Sequence, residues 1–163
     1  MIQKKMFNLL IGIAFPVLLN ACTVLKHEDR DSSKLTVTGI HSTVVAKKTS
    51  VKELEALYGE PDTEEENPKK AVEQFNSINN DEGSVNVVLE DNTDYWATLL
   101  VDHTSSIKGN NLDGYYEYQS KELAGLKVFF FIIDDTVRSY RFSGNITDTS
   151  VAQKDKYLRQ ILD

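Results

Sequence analysis

Cysteine is nearly absent from the sequence, since the only one is Cys22. A single thiol excludes intrachain disulfides, so the fold must be stabilised by its core. Basic residues are also scarce, with 18 Lys and Arg against 25 Asp and Glu and a net charge of −7. This balance argues against a nucleic-acid-binding protein, whose Lys and Arg concentrate on one face. It also argues against electrostatic docking to anionic lipid.

The sequence also lacks the common motifs of catalysis and metal binding. His27, His41 and His103 lie far apart, without the i,i+4 pairing or Cys/His clustering of metal sites. No G-x-S-x-G nucleophile elbow and no Gly-rich phosphate loop occurs. The adjacent Asp134 and Asp135 are typical of a hairpin turn rather than of a catalytic pair, because neighbouring strand residues face opposite ways. We therefore expect no enzymatic activity, no metal and no cofactor.

One long apolar run is present, and it lies near the N-terminus. Two lysines precede the mostly apolar residues 7–19, and Ala21 stands immediately before Cys22. A cationic start, an apolar stretch of about 7–15 residues and a small residue at the cleavage point are typical of a secretory signal peptide. A membrane-spanning helix is the alternative, but it needs about 20 apolar residues. We expect residues 1–21 to be a signal peptide.

The end of this run, Leu19-Asn20-Ala21-Cys22, resembles the lipobox of bacterial lipoproteins. The resemblance implies cleavage before Cys22, a diacylglyceryl thioether on its sulfur and an acylated amino group. Several acyl chains attach a protein stably, since each buried methylene adds about 0.8 kcal/mol. Thr23 instead of Asp after the cysteine implies transport to the outer membrane of a Gram-negative bacterium, with the domain facing the periplasm. The alternative is an unpaired cysteine in an ordinary signal peptide.

The residues after the lipobox divide into a tether and one domain. Residues 22–34 are polar and crowded with charge, so we expect a lipidated flexible tether. Residues 35–163 are about the length of a single domain. From position 22 onward, 16 basic residues stand against 25 acidic ones, a net charge of −9. β-branched residues predict short strands in 35–38 and 42–46, and residues 62–66 read as an acidic loop.

The clearest helix signal begins at Ser50. Ser50 and Glu53 have the spacing of a capping box, and Gly59 suits the helix end. Asn67 and Pro68 can open a second helix as cap and first-turn residue. The predicted apolar faces are Val51, Leu54, Leu57 and Tyr58 in the first helix and Ala71, Val72, Phe75 and Ile78 in the second.

From Ser84 onward the pattern changes to that of strands. Short β-rich runs separated by turn residues predict hairpins and an antiparallel sheet. Thr149 or Ser150 can cap a C-terminal helix with apolar residues facing inward. We therefore expect an α+β fold, in which N-terminal helices pack on an antiparallel meander and an additional helix closes the chain. The predicted strands are residues 85–89, 95–101, 115–119, 126–133 and 137–142.

Four motifs behind the lipobox resemble the SmpA/OmlA (BamE-like) family of small outer-membrane lipoproteins. They are a helix ending Leu54-Glu55-Ala56-Leu57-Tyr58-Gly59-Glu60-Pro61, then Tyr115-Tyr116-Glu117-Tyr118, Lys127-Val128-Phe129-Phe130-Phe131 and Val137-Arg138-Ser139-Tyr140. The resemblance covers roughly residues 39–61 and 115–142, so residues 62–114 form an insertion. It implies a non-enzymatic domain that scaffolds or stabilises an outer-membrane protein complex.

The predicted strand 126–133 contains six consecutive apolar residues, from Val128 to Ile133. Both faces of this strand therefore need cover. The helices can cover one face, and the insertion 62–114, the C-terminal helix or another protein can cover the second. Because tyrosine is enriched in the cores of interfaces, we expect a partner-binding surface among the strand aromatics. The predicted interface residues are Tyr115, Tyr116, Tyr118, Phe129, Phe131 and Tyr140.

These inferences favour a lipid-anchored, non-enzymatic scaffold or accessory subunit of a cell-envelope complex of the outer-membrane assembly type. Its partners are then the membrane, through Cys22, and protein subunits, but no nucleic acid. Two alternatives stay open at this stage. One is an accessory lipoprotein of a secretion machine, and the other is a periplasmic inhibitor or ligand-binding module, which needs a groove or pocket.

Overall fold

The computed structural model describes residues 34–95 and 112–162. Several predictions concern residues outside these ranges. They are the signal peptide, Cys22, the tether up to position 33, His103 and most of the predicted strand 95–101. Within them the chain forms helices and a four-stranded antiparallel sheet, so the predicted α+β class is confirmed. The helices are α1 (Val37–Thr43), α2 (Val51–Tyr58), α3 (Pro68–Asn79), α4 (Val85–Asn92) and α5 (Thr149–Ala152); the strands are β1 (Thr63–Glu65), β2 (Gly114–Gln119), β3 (Lys127–Ile133) and β4 (Thr136–Ser143).

The sheet is a meander with the strand order β1-β2-β3-β4. Phe130 lies at its centre, paired with Tyr116 on β2 and Tyr140 on β4. Strands β3 and β4 are joined by Asp134 and Asp135, with φ values of 50° and 54°. Two consecutive residues with positive φ form the tight turn whose twist matches an antiparallel hairpin. The predicted turn at this position is therefore confirmed.

Helix α2 begins with the predicted capping box. The Glu53 backbone N–H donates to Ser50 Oγ at 3.2 Å, and the Ser50 backbone N–H donates to Glu53 Oε2 at 2.8 Å. At the other end Gly59 has a φ of 75°, which glycine adopts without a steric penalty. Leu54 on the inner face is fully buried, whereas Leu57 is only half-buried.

Replacing Ser50 with alanine is expected to lower the free energy of unfolding by about 0.5–2 kcal/mol, because a helix N-terminal donor loses its acceptor. Urea unfolding measures this change, with Ser77→Ala on the exposed side of α3 as a control expected to stay within about 0.5 kcal/mol. The bonds from Ser50 hold the pKa of Glu53 below its usual value. Ionised Glu53 therefore contributes to the free energy of unfolding above the ordinary glutamate pKa. This contribution is lost as the pH falls from there through the lowered pKa of the folded protein. Equal stability of Ser50→Ala and wild type would show that the box is not stabilising.

The predicted strands in residues 35–38 and 42–46 are wrong, because α1 occupies this region. Thr36 caps the helix by accepting the Gly39 backbone N–H at 2.8 Å. Val37 and Ile40, three residues apart, are buried on one helical face. The chain therefore adopts a helix despite its β-branched residues, since burial of this face overrides a weak local propensity.

The prediction of a strand over residues 85–89 is also wrong. Helix α4 buries Val85, Asn86 and Leu89, which is a helical rather than an alternating pattern. The Asn86 side chain bonds the β4 backbone at both amide atoms, with the Phe142 N–H donating to Oδ1 at 2.9 Å and Nδ2 donating to the Phe142 carbonyl at 2.8 Å. This contact between distant residues fixes the helix against the sheet.

The predicted acidic loop at residues 62–66 instead contains β1, which pairs with β2 in the register Glu64 to Tyr116. The strand has only three residues, and two of them are glutamates. A short, charged outer strand resists pairing with other chains, because the charges would have to be desolvated. Helix α3 forms as predicted, with Asn67 as cap and Pro68 in the first turn.

The two faces of β3 lie in separate cores, as its six apolar residues require. Val128, Phe130 and Ile132 belong to the larger core under α1 and α2. Phe129 and Phe131 belong to the smaller core under α3. The suggestion that the C-terminal helix closes the second face is wrong, because Ala152, Tyr157 and Leu158 pack into the larger core and α3, within the insertion, covers the other.

The C-terminal segment contains less helix than predicted. Helix α5 is a single turn capped by Asp148 rather than by Thr149 or Ser150, and a 3₁₀ turn follows at Leu158–Ile161. Among the described residues, none of the helices combines the length and apolarity needed to cross a membrane.

Candidate functional site

Four of the six aromatic residues predicted for a partner interface are core residues. Tyr118, Phe131 and Tyr140 are fully buried, and Phe129 is 4% exposed. The Tyr118 hydroxyl donates to the Gly59 carbonyl at 3.0 Å, and the hydroxyls of Tyr140 and Tyr95 bond each other at 2.9 Å. Burial raises the pKa of the Tyr140 hydroxyl. These side chains stabilise the fold, which leaves the interface prediction with the two half-buried tyrosines.

Tyr116 lies on the face of the sheet that α2 covers. It packs at the margin of the larger core, where Leu57 is also half-buried. The Tyr116 hydroxyl donates to Glu64 Oε1 at 2.9 Å. Desolvation and this acidic partner raise the pKa of Tyr116, with the charge of Glu55 on α2 acting in the same direction. Tyr116 is therefore a half-buried aromatic residue on an inner strand with acidic neighbours, and we call Tyr116 together with Glu55 and Glu64 the Tyr116 surface.

Tyr115 lies on the opposite face, because successive strand residues alternate. Its ring meets Phe129 edge to face at 5.5 Å and packs at the margin of the smaller core. Glu117 on the same strand is buried and accepts from Lys127 Nζ at 2.8 Å. Partial burial raises the pKa of Tyr115, as do the charges of nearby glutamates. Tyr115 and Tyr116 therefore belong to two different surfaces rather than to one interface.

Large apolar side chains are otherwise well covered. Across the described part of the chain, the one that is strongly exposed is Val45, at 44%. On this part of the chain a protein partner would therefore meet a mainly polar surface, and non-obligate interfaces are about as apolar as the rest of a protein surface.

A cavity that the sequence did not predict lies between the end of α3, α4 and β4. Its volume is about 230 Å³. Arg141 forms part of its wall although only 3% of the residue is exposed, and its Nη1 donates to the Tyr140 carbonyl at 2.9 Å. Burial lowers the pKa of Arg141, and the negative charge of Glu90 opposes that shift. The lining residues are Ile78, Asn79, Ser84, Asn86, Val87, Glu90 and Arg141.

The signal for this cavity was weak in the sequence. Within the strand pattern Val137 to Phe142, a charged residue such as Arg141 is expected to face outward from a half-exposed strand. Asn86 was placed in a predicted strand, and so its contact with Phe142 was not foreseeable. Only the packing of α4 against β4 brings these two polar residues into one wall.

His41, the histidine within the described residues, packs between aromatic side chains. The His41 ring lies 4.7 Å from the Tyr95 ring and 4.8 Å from the Tyr157 ring. Its Nε2 is 2.7 Å from the Tyr95 carbonyl oxygen. Desolvation lowers the pKa of His41, with the charge of Lys156 acting the same way. Among residues 34–95 and 112–162, no group of three or more His, Cys, Asp or Glu side chains is arranged to hold a metal ion.

Comparisons of the chain with protein-family models, with curated proteins and with solved structures find no significant match. The resemblance to the SmpA/OmlA family therefore stays a prediction that depends on the sequence motifs alone.

Proposed function

We propose that the protein is an outer-membrane lipoprotein whose periplasm-facing domain acts as a non-enzymatic scaffold or accessory subunit of a cell-envelope complex. The observation that carries the proposal is Leu19-Asn20-Ala21-Cys22 at the end of an apolar run behind two lysines. The acylated Cys22 holds the chain at the membrane, and the domain contacts other proteins.

The domain surface supports this role. The Tyr116 surface combines a half-buried tyrosine with the acidic side chains of Glu55 and Glu64, and Leu57 is half-buried at the margin of the same core. Half-buried aromatic residues supply binding energy at interface centres, and a charged rim selects the partner. The net charge of −9 beyond the signal peptide favours a partner with a basic complementary face.

Changing Cys22 to serine is expected to abolish lipidation, because the thioether forms on the cysteine sulfur. The variant should stay as an uncleaved precursor and should take up no labelled palmitate, whereas wild type is labelled and fractionates with the outer membrane. Electrophoretic mobility, labelling and membrane fractionation measure these properties. Thr23→Ser, which leaves the cysteine in place, is the control expected to behave as wild type. Labelling and cleavage of Cys22→Ser at the wild-type level would contradict the proposal.

A further inference from the structure

His41 on α1 connects two segments that lie far away in the sequence. Its Nε2 is 2.7 Å from the Tyr95 carbonyl oxygen after α4, and its Nδ1 is 3.3 Å from the Tyr157 hydroxyl in the C-terminal segment. Tyr95 is fully buried, Tyr157 is buried as well, and their rings meet edge to face at 4.8 Å. The imidazole therefore joins α1 to two tyrosines of the larger core, and we call these three residues the His41 contact.

The partners of His41 determine which ring nitrogen carries the proton when the imidazole is neutral. A carbonyl oxygen can only accept, so Nε2 carries the proton and donates to Tyr95. Nδ1 then has a lone pair and accepts from the Tyr157 hydroxyl. This hydroxyl in turn accepts from Lys156 Nζ at 3.3 Å. The hydrogen bonds therefore run in one direction, from Lys156 through Tyr157 and His41 to the Tyr95 carbonyl.

A second proton on His41 disrupts this series of bonds. Nδ1 becomes a donor, so the Tyr157 hydroxyl can no longer donate to it and the hydroxyl hydrogen loses its acceptor. The hydroxyl oxygen then lies between two cations, because Lys156 Nζ already donates to it. The contact between α1 and the C-terminal segment is therefore complementary to the neutral imidazole.

Burial and nearby charges act on the protonation of His41. Desolvation is the largest influence and lowers the pKa of His41, and the charge of Lys156 acts in the same direction. Asp94 opposes this shift, but its carboxylate lies 3.9 Å from Lys156 Nζ, so the two charges partly offset each other. The carboxylate of Asp155 in the C-terminal segment accepts three backbone N–H groups, and α1 carries no other ionisable side chain.

We propose that protonation of His41 loosens the C-terminal segment from α1, so that the His41 contact is a pH-sensitive switch within the fold. The open state binds the proton at the ordinary histidine pKa of about 6.5, whereas the closed state binds it at a lower pKa. The contact is therefore intact above the ordinary pKa and weakens as the pH falls from there through the lowered pKa. This inference does not depend on the proposed scaffold role.

Amide hydrogen exchange of the purified full-length protein in detergent, followed by NMR at about pH 7.5 and about pH 5, tests the proposal on either side of the ordinary histidine pKa. The informative amides are Thr38, which donates to Asp155, and Lys156, which donates to Thr38 Oγ1. Their protection factors are expected to fall about threefold or more at the lower pH, as for the loss of one ordinary hydrogen bond. The amides of α3, on the opposite face of the sheet, are expected to keep their protection.

Three variants assign the effect to His41. His41→Gln keeps a donor and an acceptor but cannot take up a proton, so the protection of Thr38 is expected to be equal at the two pH values. His27→Gln removes a histidine of the predicted tether and is the control expected to respond as wild type. Lys156→Gln removes the nearby cation, so NMR titration is expected to give a higher pKa for His41 than in wild type.

Four results would each overturn the proposal. They are equal protection of wild type at the two pH values, a pH response retained by folded His41→Gln, loss of the response in His27→Gln, and a His41 pKa in Lys156→Gln no higher than in wild type. If His41→Gln does not fold, Lys156→Gln decides the test, because Lys156 is exposed and its replacement leaves the imidazole in place.

Discussion

Replacing Phe131 with alanine is expected to lower the free energy of unfolding by about 3–5 kcal/mol, the usual cost of removing a buried phenylalanine. Phe131 is fully buried on the face of β3 that α3 covers. Its ring meets that of Phe75 edge to face at 5.1 Å, so truncation removes a ring contact between α3 and the sheet. Urea unfolding followed by circular dichroism measures the loss.

The control for this prediction is Val45→Ala at a strongly exposed position, expected to change stability by no more than about 0.5 kcal/mol. If Phe131→Ala unfolds at the wild-type urea concentration, α3 does not cover the second face of the sheet. That face would then be open to a partner, as one sequence interpretation suggested.

Replacing Asp155 with alanine is expected to lower the free energy of unfolding by at least about 3 kcal/mol, because three backbone donors lose their acceptor at about 1–3 kcal/mol each. Asp155 is 6% exposed. Its Oδ2 accepts the Thr38 N–H at 2.8 Å, and its Oδ1 accepts the N–H groups of Tyr157 and Leu158 at 2.9 and 3.1 Å. One carboxylate thus joins the start of α1 to the C-terminal segment.

The Asp155→Asn variant separates the two ends of this contact. An amide oxygen can still accept the Tyr157 and Leu158 N–H groups, whereas the amide nitrogen cannot accept from Thr38. We expect Asp155→Asn to lose less stability than Asp155→Ala, with faster amide hydrogen exchange at Thr38 in both variants. Equal stability of Asp155→Ala and wild type would show that this carboxylate does not hold the segment.

The sequence predicts the elements whose signals are local. Helix α2 carries its own cap and terminating glycine, and α3 carries Asn67 and Pro68 at its start. Strands β2, β3 and β4 are bounded by turn residues, and the positive φ values of Asp134 and Asp135 fit the hairpin. In each case the residues that determine the structure are neighbours in the chain.

Helices α1 and α4 were predicted wrongly because distant contacts determine them. Val85-Asn86-Val87-Val88-Leu89 is compatible with a strand by propensity, whereas the bonds from the Asn86 side chain to the Phe142 backbone and the burial of Leu89 favour the helix. In the same way, the start of α1 is held by a distant residue, because the Thr38 N–H donates to Asp155, which lies 117 positions later in the chain. The same reasoning explains the cavity at Arg141, whose walls come from three separated segments.

The aromatic residues show the same division. Their strands were predicted correctly, but a strand pattern does not tell which face the rest of the chain covers. Since α1, α2 and the C-terminal segment cover one face and α3 covers the other, Tyr118, Phe129, Phe131 and Tyr140 are core residues. We propose the half-buried Tyr116 as the position where a partner binds.

Co-purification from detergent-solubilised envelopes, comparing wild type with Tyr116→Arg and Val45→Arg, tests the proposed function most directly. Tyr116 is half-buried beside acidic residues, and Val45 is an exposed residue on the loop after α1. The account predicts a stoichiometric protein partner with wild type and Val45→Arg that is lost with Tyr116→Arg, while all three proteins unfold at similar temperatures. Absence of a partner from wild type, or its full retention by a folded Tyr116→Arg variant, would contradict the account.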